Sequence, residues 1–530
     1  MPTPRLRPAR SEWRGSSFWP ALLALGLASL PASRASAAWP KTIQVGAKVE
    51  ARATATTTSA VEAPGVAADD PQRLGSDTLY ESRLRAGGFA RWEIGGVWLQ
   101  ALQLDLQADF FAAPLTLRTG DAGDGNPARL GADPLLTGTP NVLSFDATLL
   151  RQFAIEAEGR FFRLAAGRMV SRWGLGLLAQ SGDDEPYQFG LKRRGAVVDR
   201  AQIALLPAGI PGDGSYLGVL PLALVFAADS VVDDDLASKR AGDDARQLIA
   251  AALLRYPEVE LGAYGVRRWQ TDAVGLGLNA WVADVYGSWS GKVRGLRVSA
   301  GTEWLWVQGD TTWFRTATSP SKLKVAQSGG LVRLRIEDGN VGVQIDGGYA
   351  SGDDTPFDDT ISNFKMARDM RVGLVLFGEM WRRQSAAIVA NLSDTRFTGQ
   401  APAGADRFTS AGSATGALWT SQTIRARVGK LTLLGGLLYA KAPGPLVDPH
   451  RTGLNGGTPT GPRGGRASTD LGFEFDGAGV WDEPLGAGLT LRARIDFGVA
   501  FPGLAFAGAN GDEPAAVGAA VGQIALRGAF

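Results

Sequence analysis

The chain has 530 residues, with 54 Lys and Arg against 53 Asp and Glu, one His and no Cys. A net charge of +1 argues against a polybasic nucleic-acid-binding protein, so no nucleic-acid partner is expected. The lack of Cys excludes disulfide scaffolds, thiolate metal sites and thiol nucleophiles. A single His leaves almost no imidazole for a metal site or for general-base catalysis. We therefore expect no metal, no cofactor and no enzymatic activity.

The N-terminal segment has the pattern of a secretory signal peptide. Four arginines at or before position 14 precede an apolar run over residues 18–30, and Ala35-Ser36-Ala37 supplies small residues for cleavage. The apolar run is shorter than the roughly 18 residues that a spanning helix needs. We predict that residues 1–37 are removed and that residues 38–530 form one exported domain, which enters a membrane, if at all, through strands.

Beyond the leader, apolar and polar residues alternate with a period of two, which is typical of strands with one apolar and one polar face. From Leu102 to Phe110 the even positions are apolar and the odd positions are Gln or Asp. From Leu489 to Val499 the parity is reversed but the alternation is the same. The segments run about 10–15 residues, against about 5–6 for an average globular strand, and such lengths can cross a membrane at a tilt.

Short and long connections alternate along the chain. Short turns are predicted at 95–96, 158–159, 257–258, 290–291, 338–340, 429–430 and 482–484. Long Gly-, Asp- and Pro-rich loops are predicted at 112–142, 171–196, 228–245, 309–327, 351–370, 394–414, 442–467 and 502–517. Outer-membrane barrels show this asymmetry, with short periplasmic turns and long external loops. We predict an all-β fold, a single large antiparallel transmembrane β-barrel of about 18–20 strands. A strand pair over 371–393 decides the number.

Aromatic residues and the chain end agree with this fold. Trp92 and Trp98 flank one predicted turn and Trp381 lies beside another, as in the aromatic girdles of membrane barrels. The chain ends on Phe530, with Leu526 and Ile524 on the same face of a final predicted strand. This ending resembles the C-terminal signature of Gram-negative outer-membrane barrels, except that Gly528 stands where an aromatic is more usual. The resemblance implies outer-membrane localisation, contact with outer-membrane lipid and recognition by the barrel-assembly machinery.

A barrel in lipid must close, because every backbone group has to be paired, and polar faces then turn inward. A barrel of this size is too wide to be filled by side chains alone, so a channel is the default expectation. Charges predicted to face the lumen are Arg297, Glu303, Arg333, Arg335, Arg492, Arg494 and Asp496. They either line the channel or pair with one another between neighbouring strands.

Residues 171–196 depart from the alternation, which indicates a loop folded into the barrel. The stretch contains Arg172-Trp173-Gly174-Leu175-Gly176 and Gly182-Asp183-Asp184, and Asp199-Arg200 follows on the next strand. These motifs resemble those of an uncharacterised myxobacterial outer-membrane protein family and, more distantly, of alginate-export-like porins. The resemblance implies a pore with a constriction formed by Arg172, Asp183, Asp184, Asp199 and Arg200. The alternative is that the glycines allow a tight bend and the charges are solvated.

We predict a porin-like channel for passive diffusion of small solutes or for export of a polysaccharide. One alternative is an outer-membrane hydrolase that uses His450, which follows Asp448 in an external loop. The sequence has no Ser-containing nucleophile elbow to support it. The other alternative is a structural or adhesive barrel with a blocked lumen. The sequence does not fix the solute, the ion selectivity or the oligomeric state.

Overall fold

The computed structural model describes residues 42–58, 77–96, 98–110, 149–190, 195–207, 221–315, 319–355, 358–396, 399, 401–512 and 514–530. The predicted signal peptide (1–37) and the predicted loop 112–142 lie outside these ranges. The strands are β1 (Thr42–Thr58), β2 (Asp77–Glu93), β3 (Ala101–Phe110), β4 (Leu149–Glu158), β5 (Phe162–Ser171), β6 (Ala196–Leu205), β7 (Leu222–Asp233), β8 (Asp244–Arg255), β9 (Val259–Thr271), β10 (Gly277–Val293), β11 (Leu296–Thr311), β12 (Leu323–Asp338), β13 (Val341–Ala350), β14 (Thr360–Ile361), β15 (Ala417–Val428), β16 (Leu431–Lys441), β17 (Asp470–Gly486), β18 (Leu489–Pro502) and β19 (Val517–Ala529).

Helical segments in the described part of the chain are short. They are a π-helix (Leu376–Trp381) that continues as an α-helix (Arg382–Asn391), a second α-helix (Pro449–Leu454), and 3₁₀ turns at Lys239–Ala241, Ala405–Phe408 and Leu504–Phe506. Among the described residues, no helix is long and apolar enough to cross a membrane.

Eighteen of the described strands, all but β14, form a closed antiparallel barrel. The barrel closes where β1 pairs with β19, in a register that runs from Lys48 opposite Ala529 to Thr58 opposite Ala519. Phe530 extends this seam, because its backbone N–H and C=O both bond to the backbone of Ala47, at 2.8 and 3.0 Å. Closure leaves no free sheet edge, which is what a barrel in lipid requires. The predicted fold class is confirmed, at the lower strand number.

The predicted strand pair over 371–393 is wrong. This segment carries the π-helix and the α-helix and lies inside the lumen. The apolar residues at the start of this segment have the pattern of a strand, but the alternation stops at the adjacent pair Arg382-Arg383. Trp381, predicted at a membrane rim, is instead buried in the lumen, where its ring packs 6.0 Å from that of Phe506.

Two of the predicted short turns lie a few residues before the turns in the structure. Residues 290–291 and 482–484 belong to β10 and β17, and the chain reverses at Arg294-Gly295 and Ala487-Gly488. All four turn residues have positive φ, between 49° and 89°. Two-residue turns of this kind match the right-handed twist of the flanking strands. Neither turn has the Asn-Gly or Asp-Gly pair that signals such a turn in a sequence.

The two faces of the wall have the predicted polarity on most strands. On β18, Ile495 and Phe497 are 62% and 59% exposed on the outside, whereas Asp496 between them is fully buried inside. On β11, Trp304 and Trp306 face outward, and Glu303 between the outward positions faces inward and is buried. The outer surface is therefore an apolar belt of the kind that contacts lipid.

The orientation of β18 predicts a depth-dependent effect of charge on the outer face. Ile495→Arg, near the middle of the strand, should lower the free energy of unfolding by about 2–4 kcal/mol, whereas Leu491→Arg, near the turn, should cost about 0–1 kcal/mol. Urea unfolding of the barrel in lipid vesicles, followed by tryptophan fluorescence, measures both. Equal costs at the two positions would contradict the placement of this face in lipid.

Candidate functional site

Two segments fold into the lumen. Infolded loop 1 (residues 172–190) connects β5 with β6, and infolded loop 2 (residues 358–396) lies between β13 and β15. Buried residues of both loops, among them Leu177, Phe189, Phe364 and Phe377, join inward side chains of the wall in one apolar cluster. The expectation that residues 171–196 fold into the barrel agrees with this position of loop 1.

Glu303 of β11 holds the first turn of infolded loop 1. Its carboxylate accepts the backbone N–H groups of Leu175, Gly176 and Leu177 at 2.5, 3.0 and 3.4 Å. Consecutive N–H groups that point to one side form a concave anion-binding site. Gly174 has φ +51°, and a Cβ there would lie 2.6 Å from a Glu303 oxygen. This glycine therefore permits both the turn and the close approach of the carboxylate.

Glu474 of β17 makes the same interaction with infolded loop 2. Its carboxylate accepts the N–H groups of Leu374, Val375 and Leu376 at 2.5, 2.7 and 2.6 Å. Gly373, with φ +68°, precedes these donors, and a Cβ there would lie 2.8 Å from the carboxylate. Two wall carboxylates thus bind two loops in the same way.

Further contacts hold infolded loop 1 against the barrel wall. Trp173 donates through Nε1 to Asp284 at 2.9 Å, and its ring lies 4.5 Å from that of Tyr264. At the other end, the Tyr187 hydroxyl donates to Glu337 at 2.9 Å, and the guanidinium of Arg335 lies 4.7 Å from the Tyr187 ring centre. Loop 1 is therefore fixed at both of its ends to the wall formed by β9, β10 and β12.

Acidic residues of loop 1 neutralise arginines of the wall. Asp184 binds Arg527 at 2.6 Å and lies 3.9 Å from Arg52, and Glu185 binds Arg333 at 3.3 Å. Burial raises the pKa of Asp184, but the guanidiniums of Arg527 and then Arg52 outweigh it and hold that pKa well below its usual range. Asp184 stays ionised over the physiological pH range.

The helix of infolded loop 2 carries its own buried ion pair. Glu379 binds Arg382 at 2.8 Å and accepts the Thr58 hydroxyl of β1 at 3.1 Å. Burial raises the pKa of Glu379, but the attraction of Arg382 and Arg383 lowers it overall to about 2. The loop is thus tied to β1 as well as to β17.

The part of the lumen that the loops leave open is a cavity of about 1390 Å³ along the inside of β1–β12. Glu93, Glu158 and Arg255 line it at the end of the short turns, and Thr311 and Trp313 line it at the end of the long loops. The cavity therefore extends from one rim of the barrel towards the other.

Ion pairs are found at both ends of the cavity. At the short-turn end, Glu158 binds Arg91 at 2.8 Å and Arg163 at 3.0 Å. At the other end, Arg268 of β9 binds Asp234 at 2.6 Å, and two further pairs join residues of the long loops, Arg368 with Asp235 at 2.6 Å and Arg407 with Asp243 at 2.7 Å. The lining is therefore close to charge balance.

The five predicted constriction residues do not come together. Arg172 and Arg200 line the cavity; Arg200 binds Asp229 at 2.7 Å, and no ion pair of Arg172 occurs among the described residues. Asp183 and Asp184 face the wall formed by β1, β2 and β19 and do not line the cavity.

Asp199 points away from the lumen, and its prediction as a constriction residue is wrong. It binds Arg168 at 2.7 Å and Lys239 at 3.1 Å outside the barrel. Neighbouring residues of a strand point to opposite faces. Asp199 and Arg200 therefore cannot both line the lumen.

The predicted lumen charges lie on inward positions, but most of them bind partners nearby. Glu303 anchors loop 1 as described above, and Arg297 lies opposite Glu337 in the register of β11 and β12. The arginine contacts are Arg333 with Asp346 at 2.9 Å, Arg335 with Gln344 at 2.6 Å, Arg492 with Asp482 at 2.6 Å and Arg494 with Asp496 at 2.6 Å. Of the two alternatives from the sequence, lining the channel or pairing between neighbouring strands, pairing describes most of these positions.

Several lining residues had no signal in the sequence. Lys365 and Arg368 come from infolded loop 2, and Arg407 comes from the chain that follows it. The length of the connection between β13 and β15 is the one feature that could have pointed to them. Within the described residues, no group of three or more His, Asp or Glu side chains is arranged to hold a metal ion.

Comparisons with known proteins bear on the fold. No family model and no curated protein matches the chain. Among solved structures, Pseudomonas aeruginosa OccK9 (OpdG) is 12% identical with a TM-score of 0.50, over 93% of this chain and 100% of that one. P. aeruginosa OccK2 (OpdF) and Acinetobacter baumannii OccAB1 are each 10% identical with a TM-score of 0.47, over 93% of this chain and 99% and 97% of theirs. The fold is that of an outer-membrane β-barrel.

The close contact between Gly373 and Glu474 predicts that an added methyl group at Gly373 loosens infolded loop 2. Gly373→Ala should increase tryptic cleavage at Arg382 and Arg383 about ten-fold or more, because losing hydrogen bonds to a buried carboxylate costs about 1.5–3 kcal/mol and cleavage follows the open population. Gly429→Ala is the control, since its φ of +61° is similar but no atom lies within 4 Å of its Cβ position. Equal cleavage of the two variants would show that the carboxylate does not hold the loop.

Proposed function

We propose that this protein is a porin-like channel of the outer membrane, through which small solutes diffuse passively. The observation that carries the proposal is the open cavity along β1–β12, lined by residues from both ends of the strands. The two loops fill the other side of the lumen and narrow the barrel without filling it. Passage would require no bond chemistry, only a fit to the width, polarity and charge of the lining.

Two forms of this proposal differ in the solute. Diffusion of small molecules agrees with the narrowing of the lumen by two anchored loops. The other form is export of a polysaccharide. It rests on the resemblance of the sequence motifs to those of alginate-export-like porins and of the myxobacterial family. No feature of the cavity favours a polymer, so the small-solute form is the one we pursue.

The hydrolase alternative has less support. Asp448 caps the short helix Pro449–Leu454 by accepting the N–H of Arg451 at 3.1 Å. His450 Nε2 lies 2.8 Å from Asp394, which can orient an imidazole but is not a nucleophile. A catalytic role for His450 would need a hydroxyl or an activated water opposite this pair. We therefore propose no enzymatic activity.

Neighbouring residues of β8 offer a direct test of the channel. Ala251 lines the cavity, whereas Ala250 is exposed on the outer face. Ala251→Trp should lower the single-channel conductance in planar bilayers by about two-fold or more, because the indole occupies the passage. Ala250→Trp should leave the conductance unchanged. A wild-type barrel that inserts without conductance steps would refute the proposal in favour of a blocked lumen.

Lys365 predicts a pH-dependent ion preference. Its Nζ donates to the backbone carbonyls of Arg407 and Thr409 at 3.1 and 3.3 Å, and burial, assisted by Arg368, lowers its pKa to about 8. Lys365 is therefore charged below that pH and neutral above it. The reversal potential in a salt gradient should shift towards cation preference between about pH 6.5 and about pH 9.5.

Lys365→Met should remove this shift and should give the cation-preferring value at both pH values. Lys430→Met is the control, because Lys430 binds Glu483 in a short turn and does not line the cavity. A shift of unchanged size in the Lys365 variant would assign the titration to another group.

A further inference from the structure

The inward faces of two neighbouring strands are apolar, in contrast to the polar lumen typical of porins. On β7 the inward residues include Ala223, Val225 and Ala227, and on β8 they include Ile249, Ala251 and Leu253. The outward residues between them, such as Phe226 and Leu248, are also apolar and are exposed to lipid. Over residues 223–227 and 249–253 the alternation of polarity is therefore lost, because both faces are apolar there, whereas Asp229 and Arg255 nearer the strand ends are charged and inward.

This apolar surface borders the open cavity. Val225, Ile249, Ala251 and Leu253 all line the cavity and are only half-buried. Water in the passage would meet hydrocarbon at these positions, which is unfavourable. Ile249 and Ala251 pack against the apolar cluster of the lumen on one side and border the open cavity on the other.

Infolded loop 1 extends the apolar surface. Trp173 and Leu178 line the cavity beside β9 and β10, and the six-membered ring of Trp173 comes within 3.1 Å of the Cβ position of Gly262. The hydrogen bond from Trp173 Nε1 to Asp284 fixes the indole. A fixed aromatic ring next to aliphatic side chains presents a preformed apolar face to a solute.

The neighbouring wall of the same cavity is polar. Most of its lining residues on β2 to β5 are polar, among them Arg91, Gln103, Gln152, Glu156 and Arg163, although Phe89, Ala165 and Met169 line it as well. Between its two charged ends the cavity is therefore amphipathic in cross-section, with mainly hydrocarbon along β7–β10 and mainly charged or amide groups along β2–β5.

From this arrangement we infer that the channel takes solutes with one apolar face, such as an aromatic ring or a short alkyl chain attached to a hydroxylated or charged group. The inference rests on the proposed function and narrows its solute class. Such a solute displaces water from the apolar wall while its polar groups bond to the polar lining along β2–β5, and this combination favours it over a fully hydrophilic solute of similar size.

Two substitutions by Thr test the inference. Val225→Thr replaces one methyl group by a hydroxyl, and Ile249→Thr is matched in volume by Ile249→Val. Phenyl β-D-glucoside and glucose serve as probes, and the mean residence time of each is measured from interruptions of single-channel current in planar bilayers. Conductance steps show that each variant has folded and inserted.

We expect phenyl glucoside to stay longer than glucose in the wild-type channel. Val225→Thr should shorten the residence of phenyl glucoside by about four-fold, the factor associated with one buried methyl group, and Ile249→Thr, which also removes a methylene, should shorten it further. Ile249→Val should shorten it less than Ile249→Thr does, and glucose should be unaffected by all three. Equal residence of the two probes in the wild type, or no effect of either Thr variant, would overturn the inference while leaving the channel intact. A wild type without conductance would instead overturn the proposed function, and the inference with it.

Discussion

The arrangement of the lumen depends on the binding of backbone N–H groups by carboxylates of the wall. Glu303 and Glu474 are both fully buried, and each accepts three consecutive N–H groups of an infolded loop. A buried carboxylate without donors is costly, and so are buried N–H groups without acceptors. Each loop and its carboxylate therefore satisfy one another. Because the carboxylates belong to the wall, the loops are held at defined heights in the barrel.

The anchoring of the two loops determines which part of the lumen remains open. Both loops pack against inward residues of strands β9 to β19, and their apolar side chains form one cluster with the wall there. The chain leaves the side along β1–β12 as a cavity of about 1390 Å³. An eighteen-stranded barrel would otherwise enclose a wide aqueous pore. The anchored loops reduce this space to a cavity whose two walls differ in polarity, and the proposed solute class rests on that difference.

Much of the barrel could be predicted from the sequence, because a strand in a membrane wall has to alternate along its whole length. The alternation on β18 and the apolar residues before Phe530 are local features, and closure follows from them. The lumen helix could not be predicted in this way. Its apolar residues are covered by the inside of the barrel, and no local pattern distinguishes that environment from lipid.

The candidate site was predicted only in part, for two physical reasons. Strand parity would have separated Asp199 from Arg200, since adjacent residues face opposite sides. The role of Glu303 could not be read from its strand, because it depends on Gly174 and its neighbours more than 120 positions earlier in the chain. The apolar wall of β7 and β8 is visible in the sequence as a loss of alternation, but its position beside open space is visible only in the fold.

The proximity of infolded loop 1 to the barrel wall can be measured directly by cysteine cross-linking, because the chain has no Cys of its own. Leu175 lies with a methyl carbon 3.1 Å from the Cβ position of Gly301 on β11. A variant with Leu175→Cys and Gly301→Cys should be cross-linked rapidly by a short bismaleimide in the membrane. A variant with Leu175→Cys and Gly522→Cys, whose second site has no atom within 4 Å, should not. Equal labelling of both cysteines of the first pair without a cross-link would contradict an anchored loop.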